Sequence, residues 1–224
     1  MADELARLDA IAQADLVHKG ETTPLDLVDA AISRIEQVNP QLNAVITPLF
    51  EKARTQAKST DLPDGPFKGV PFLLKDFGCH SAGDPYHEGT RFLKDLGWRA
   101  KEDTYMAAKL RAAGFVFLGK TNTPEFASMP TTEPEAYGPT RNPWNTDHST
   151  GGSSGGAGAA GPRRPAGNSE EVRAFRAAGL SALGVDLNPG PRNRYCLSGD
   201  FHHLPFFEGA FDGAYSNVLD HVYD

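Results

Sequence analysis

The sequence predicts an α/β fold in which helices pack on a sheet, followed by a second and shorter α/β segment. Three observations predict it. An amphipathic helix over Asp103 to Ala113, a glycine at Gly114 and the apolar run Phe115-Val116-Phe117-Leu118-Gly119 form a helix–turn–strand unit that feeds a mainly parallel sheet. A second compact apolar run, Gly69 to Leu74, has the length and composition of a buried strand. Past residue 160 the composition shifts to Pro and Arg, and a new helix–strand pattern begins.

The elements follow in order. Leu5 and Leu8 open an apolar pattern that continues over Asp9 to Val17, with Gly20 where a helix C-terminus takes a left-handed residue. Thr22-Thr23-Pro24 supplies an N-cap and a proline at the first helical position. Leu25, Leu27, Val28, Ala31, Ile32 and Ile35 form that helix's apolar face, and Asn39-Pro40 is expected to stop it. Residues 44–47 read as a short strand, and Phe50 to Lys58 as a helix whose charges face solvent. Gly78 to Arg99 mixes Gly, Pro and charge and reads as a long surface loop with little regular structure. Lys120 to Glu125 and Asn142 to Asn145 are loop over the end of the sheet, where α/β proteins build sites.

Composition excludes several classes. A net charge of -7 with no Lys/Arg cluster argues against nucleic-acid partners. No apolar run reaches the length of a membrane span, and three acids in Met1 to Ala10 replace the positive start of a signal peptide. A cytoplasmic location is the expectation. The two cysteines, Cys79 and Cys196, lie too far apart in sequence to suggest a disulfide framework or zinc knuckle, and His202, His203 and His221 have no ligand spacing. No metal is expected. Oligomeric state has no signature in the sequence.

The chemistry centres on Gly151-Gly152-Ser153-Ser154-Gly155-Gly156. Six of the eleven positions from Gly151 to Gly161 are glycine, which suits either a flexible linker or a backbone too tight for side chains that holds a serine in a site. Lys75, at the end of a buried strand, is either an exit to solvent or a desolvated base. Four stretches read together decide between these readings: Gly69 to Asp76, Leu118 to Glu125, Arg141 to Asn145 and Gly151 to Gly156. In that order they resemble the amidase signature family, over about residues 1–160, with the nearest likeness to members acting on linear or cyclic amides.

The resemblance implies a mixed sheet with helices, a small-molecule amide substrate, no cofactor and a Ser-cisSer-Lys triad. Lys75 would be the neutral base. Ser153, after a cis peptide, would pass a proton between Lys75 and the nucleophile, with Ser154 a secondary candidate that bonds locally. The nucleophile itself would follow a glycine pair downstream. Ser169, Ser181, Ser198 and Ser216 are instead preceded by Asn168, Leu180, Leu197 and Tyr215. The amidase pattern is therefore expected to break off before its nucleophile, giving low or no activity.

Residues 161–224 carry a different pattern: a helix over Glu170 to Ala178, a strand ending on Asp186, and short strands near residues 195–197 and 211–217. Gly184 to Pro189, Gly199 to Phe201, Leu204 to Phe206 and Phe211-Asp212 with Tyr215-Ser216-Asn217 resemble a fragment of a class I S-adenosylmethionine-dependent methyltransferase, a partial Rossmann-like segment. That resemblance implies S-adenosylmethionine as a possible cofactor, with Asp186 on the ribose hydroxyls and Asp200 beside the adenine; alternatively both acids only cap turns. A third reading is a non-catalytic chimeric or frameshifted product joined near residue 160, with the chain divided into 1–160 and 161–224.

Overall fold

The structure is a computed structural model that describes residues 2–5, 8–161, 184–186 and 196–198. Helices α1 (Ala2–Leu5), α2 (Ala10–His18) and α3 (Pro24–Leu42) lead into strand β1 (Val45–Pro48) and helix α4 (Phe50–Ala57). Strand β2 (Pro71–Lys75), helices α5 (Arg91–Asp95) and α6 (Tyr105–Ala112) and strand β3 (Val116–Thr121) follow. A 3-10 turn (Glu125–Ala127), the hairpin β4 (Arg141–Asn142) and β5 (Asn145–Ser149), and helix α7 (Gly155–Ala160) complete the stretch to residue 161.

The sheet has the order β1-β3-β2, with β2 parallel to β3 and β1 antiparallel to it. It is therefore mixed, as the resemblance implied. Helices cover both faces: α2 and α6 bury Ala14, Ala107 and Leu110 with Phe67, Leu74, Phe115 and Phe117, while α3 and α4 bury Val28, Ile32, Ala53 and Ala57 with Val116 and Leu118. One irregularity decides which side chains go where. Phe72 pairs with Phe117 but Leu73 pairs with Gly119, so β3 carries one extra residue, Leu118, and its alternation reverses. Leu74 and Lys120 thus share the α2/α6 face, and Lys75 turns to the other.

Helix starts follow their caps. Asp9 accepts the Ala12 amide at 2.7 Å, so α2 begins at Ala10 and the apolar pattern from Leu5 is broken there. Thr23 and Asp26 form a reciprocal capping box ahead of Pro24. Pro40, expected to stop α3, lies inside it: three residues from the end it removes a single N–H, and the stop comes at Asn43, whose left-handed backbone sends its N–H to Asn39 at 2.7 Å.

Two further expectations need correction. The stretch 78–99 is not surface loop throughout: Ser81, Asp84, Tyr86, His87 and Thr90 are buried, and residues 91–99, which lie at the surface, contain α5. Its polar groups go inside because carboxylates answer them, Asp84 taking Ser81 Oγ at 2.5 Å and Lys52 at 2.6 Å. The 141–149 stretch pairs as a hairpin rather than remaining loop, its turn held by Asn142 Oδ1 accepting the Trp144 amide at 2.9 Å.

The glycine stretch forms α7, a helix that composition argues against. Packing overrides propensity here: a β-carbon at Gly156 would lie 2.3 Å from the Asn122 amide nitrogen, whereas one at Gly158 would meet nothing within 4 Å. Gly156→Ala is therefore expected to lower stability by about 2 kcal/mol or more, as overpacking against backbone does, and Gly158→Ala to raise it by up to about 1 kcal/mol. Urea unfolding midpoints of the two variants check this; equal shifts would contradict the close approach.

Candidate active site

Three of the residues expected from sequence meet at one point. Lys75 Nζ lies 3.1 Å from Ser153 Oγ and 2.8 Å from Ser154 Oγ, across 78 and 79 residues of chain. Each side arrives for a local reason. Lys75 is the last residue of β2, paired with Thr121 of β3, and Asp76 extends the ladder by donating its amide to Thr121 O at 3.2 Å. The serines sit between the left-handed Gly151 and Gly152 and the first turn of α7.

Buried hydroxyls hold the serine backbone. Thr132 Oγ1 donates to Gly152 O at 2.6 Å and accepts the Gly155 amide at 3.0 Å, while Thr123 Oγ1 donates to Ser153 O at 3.0 Å. Asn122, fully buried, donates to Gly138 O at 3.0 Å and Thr140 Oγ1 at 2.9 Å and so ties the 138–140 loop to the end of β3. None of these was singled out from sequence. Paired threonines ahead of a glycine run, as at Thr131-Thr132, were the available signal, because a buried hydroxyl can satisfy a backbone carbonyl that no ladder reaches.

The expected cis bond before Ser153 is absent: no peptide among the described residues is cis. A trans bond is the ordinary state, since a cis bond before a non-proline residue costs about 3 kcal/mol. Ser154 also departs from expectation, because Lys75 reaches it at the shorter of the two distances.

Behind Lys75, on the α2/α6 face, lies a second polar group. Asp76 and Lys120 are both fully buried. Burial pushes the Asp76 carboxyl up to about 6 against the opposing pull of the His87 and Gly89 amides and the Lys120 charge. Burial likewise lowers Lys120, whose Nζ donates to Cys79 O at 3.3 Å. His87 is lowered by burial and then by Lys94 and Arg99; its Nδ1 bonds Tyr137 OH, whose phenol burial raises to about 12. The sequence pair Lys75-Asp76 hinted at this arrangement, but which face Lys120 takes depends on the extra residue in β3.

Of the other expected site residues, Asp186 ends strand β6 (Gly184–Asp186), which pairs in parallel with β7 (Cys196–Ser198). Asp200 lies outside the described residues. Among the described residues no group of three His, Cys, Asp or Glu side chains could hold a metal ion, and no helix is long and apolar enough to cross a membrane.

Comparison with known proteins gives a consistent picture. The amidase family model matches residues 26–161. A 6-aminohexanoate-cyclic-dimer hydrolase of Paenarthrobacter ureafaciens is 55% identical over 152 residues, covering 68% of this chain and 30% of that protein. A lipoamidase of Enterococcus faecalis is 41% identical over 150 residues, covering 67% of this chain and 20% of that protein. Among solved structures, 6-aminohexanoate cyclic dimer hydrolase complexed with substrate superposes with a TM-score of 0.66 at 54% identity over 69% of this chain and 32% of that one. A bacterial aryl acylamidase of the amidase signature family gives 0.64 at 34% identity, over 70% and 33%. The chain spans between about a fifth and a third of the length of these relatives.

The raised Asp76 carboxyl has a measurable consequence. Its ordinary value of 3.8 rises to about 6 in the folded chain, so the folded state holds the proton more tightly than the unfolded one. The sign follows: up to about 3 kcal/mol of stability is present below pH 3.8 and is lost as pH rises through 6. The difference in unfolding free energy between the wild type and Asp76→Asn is expected to shrink across that window. A difference that stays level from pH 4 to 7 would remove the assignment.

Proposed function

Because this chain belongs to the amidase family, we propose that it acts on carboxylic amide bonds through Lys75 and its two serines. The observation that carries this reading is the position of Lys75 Nζ within hydrogen-bond distance of both Ser153 Oγ and Ser154 Oγ. A neutral amine so placed takes a proton from a serine hydroxyl, which raises the hydroxyl's nucleophilicity as a histidine does in other hydrolases.

In the proposed sequence of events the Ser154 hydroxyl is the one that attacks, giving its proton to Lys75, while Ser153 holds the same amine at 3.1 Å. The serine oxygen bonds to the amide carbonyl carbon, the carbon–nitrogen bond breaks as the proton returns to the departing amine, and water then attacks the acyl–serine ester to release the acid and restore the hydroxyl. Relatives identical to this chain at more than half of the matched positions are hydrolases of a 6-aminohexanoate cyclic dimer, so a small linear or cyclic aliphatic amide is the substrate class proposed here. No cofactor is needed for these steps. Ser154, at 2.8 Å from Nζ, is placed to be deprotonated by Lys75 directly.

A second reading, the non-catalytic joined product, draws support from the family match stopping at residue 161, directly after the glycine stretch and ahead of Asp186 and Asp200. One experiment separates the two. Purified protein is assayed for amine release from a linear aliphatic amide and treated with a serine-directed fluorophosphonate, the labelled residue being located by peptide mass spectrometry. Slow hydrolysis is expected, with Lys75→Ala lowering it at least about 10²-fold, the usual contribution of a general base, and Ser153→Ala acting in the same direction. Folded protein that releases no amine and takes up no label would leave the second reading standing.

A further inference from the structure

We propose that Asp76 is a positioning residue for Lys75, an inference that rests on the lysine–serine reading above. Alternation along β2 points Leu74 to the α2/α6 face and Lys75 to the serines, so Asp76 faces away from the hydroxyls and acts only through its neighbour. Its backbone amide carries the β2–β3 ladder one residue past Lys75, to Thr121 O. Its carboxylate then receives the amide hydrogens of His87 at 3.1 Å and Gly89 at 3.2 Å.

These bonds close the chain after β2 back onto the strand end. Lys75 is held on both sides: Leu74 is packed in the core and Asp76 is anchored by three hydrogen bonds. A lysine side chain has four rotatable bonds, so keeping Nζ on two hydroxyls requires its Cα to stay in place within a fraction of an ångström. A neutral group in place of the carboxylate leaves the two amides with a poorer acceptor.

The test is a double-mutant cycle read on Lys75 itself. Acylation of Lys75 by an N-hydroxysuccinimide ester is followed by peptide mass spectrometry from pH 7 to 10 in four forms of the full chain: wild type, Ser153→Ala/Ser154→Ala, Asp76→Asn, and all three substitutions together. Circular dichroism verifies folding in each. Replacing the serines is expected to change the Lys75 rate by about threefold or more in the wild-type background and by less than about 1.5-fold beside Asp76→Asn. Equal effects in both backgrounds would overturn the role of Asp76 alone, as a purely structural residue would leave the coupling intact. No serine effect in the wild-type background would overturn the lysine–serine reading and this inference with it. Asp76→Ser serves as a second variant, and a further measurement needs none: in the wild type, amide exchange at His87 and Gly89 must be as slow as at Asp76, and exchange more than about tenfold faster there would also overturn the proposal.

Discussion

The backbone of α7 lies against the backbone leaving β3, and the distance between them governs the rest of the site. Gly156 stands where a β-carbon would be 2.3 Å from the Asn122 amide nitrogen and 2.5 Å from its carbonyl oxygen. Since Ser153 and Ser154 immediately precede this turn, the approach sets how near their hydroxyls come to a lysine on the adjacent strand. The threonines complete the arrangement by satisfying carbonyls that a glycine-rich turn would otherwise bury unpaired.

A second constraint works from below. The chain between β2 and α6 turns polar groups inward and meets several of them with carboxylates: Asp76 for the His87 and Gly89 amides, Asp84 for Ser81 and Lys52, and Asp103 for Arg111 at 2.9 Å and the Ala82 amide at 2.7 Å. Such a segment looks solvated in a sequence because its composition is polar. In the fold it is a wall of the interior, organised by carboxylates rather than by apolar packing.

Much of the scaffold was legible in the residues. Thr23-Pro24 marks the start of α3, the apolar runs mark β2 and β3, and Lys75 and the two serines stand out in the sequence through a likeness whose four motifs agree. What stayed hidden depended on tertiary context. Pro40 inside α3 is tolerated because so few hydrogen bonds remain beyond it, and α7 forms despite its glycines because the sheet exit admits no side chain there. Lys120 could not be assigned to a face by counting along β3, since the count changes at Leu118.

That extra residue in β3 has an implication for how such a sheet can vary. Lys75 and Lys120 stand on adjacent parallel strands close to the same end of the sheet, yet one meets the serines and the other is buried with an aspartate. Only the parity of a strand separates these environments. Removing Leu118 would carry Lys120 through to the face that Lys75 takes, so the strand's residue count sorts like side chains into unequal surroundings, and insertions or deletions there are felt as electrostatics before they are felt as shape.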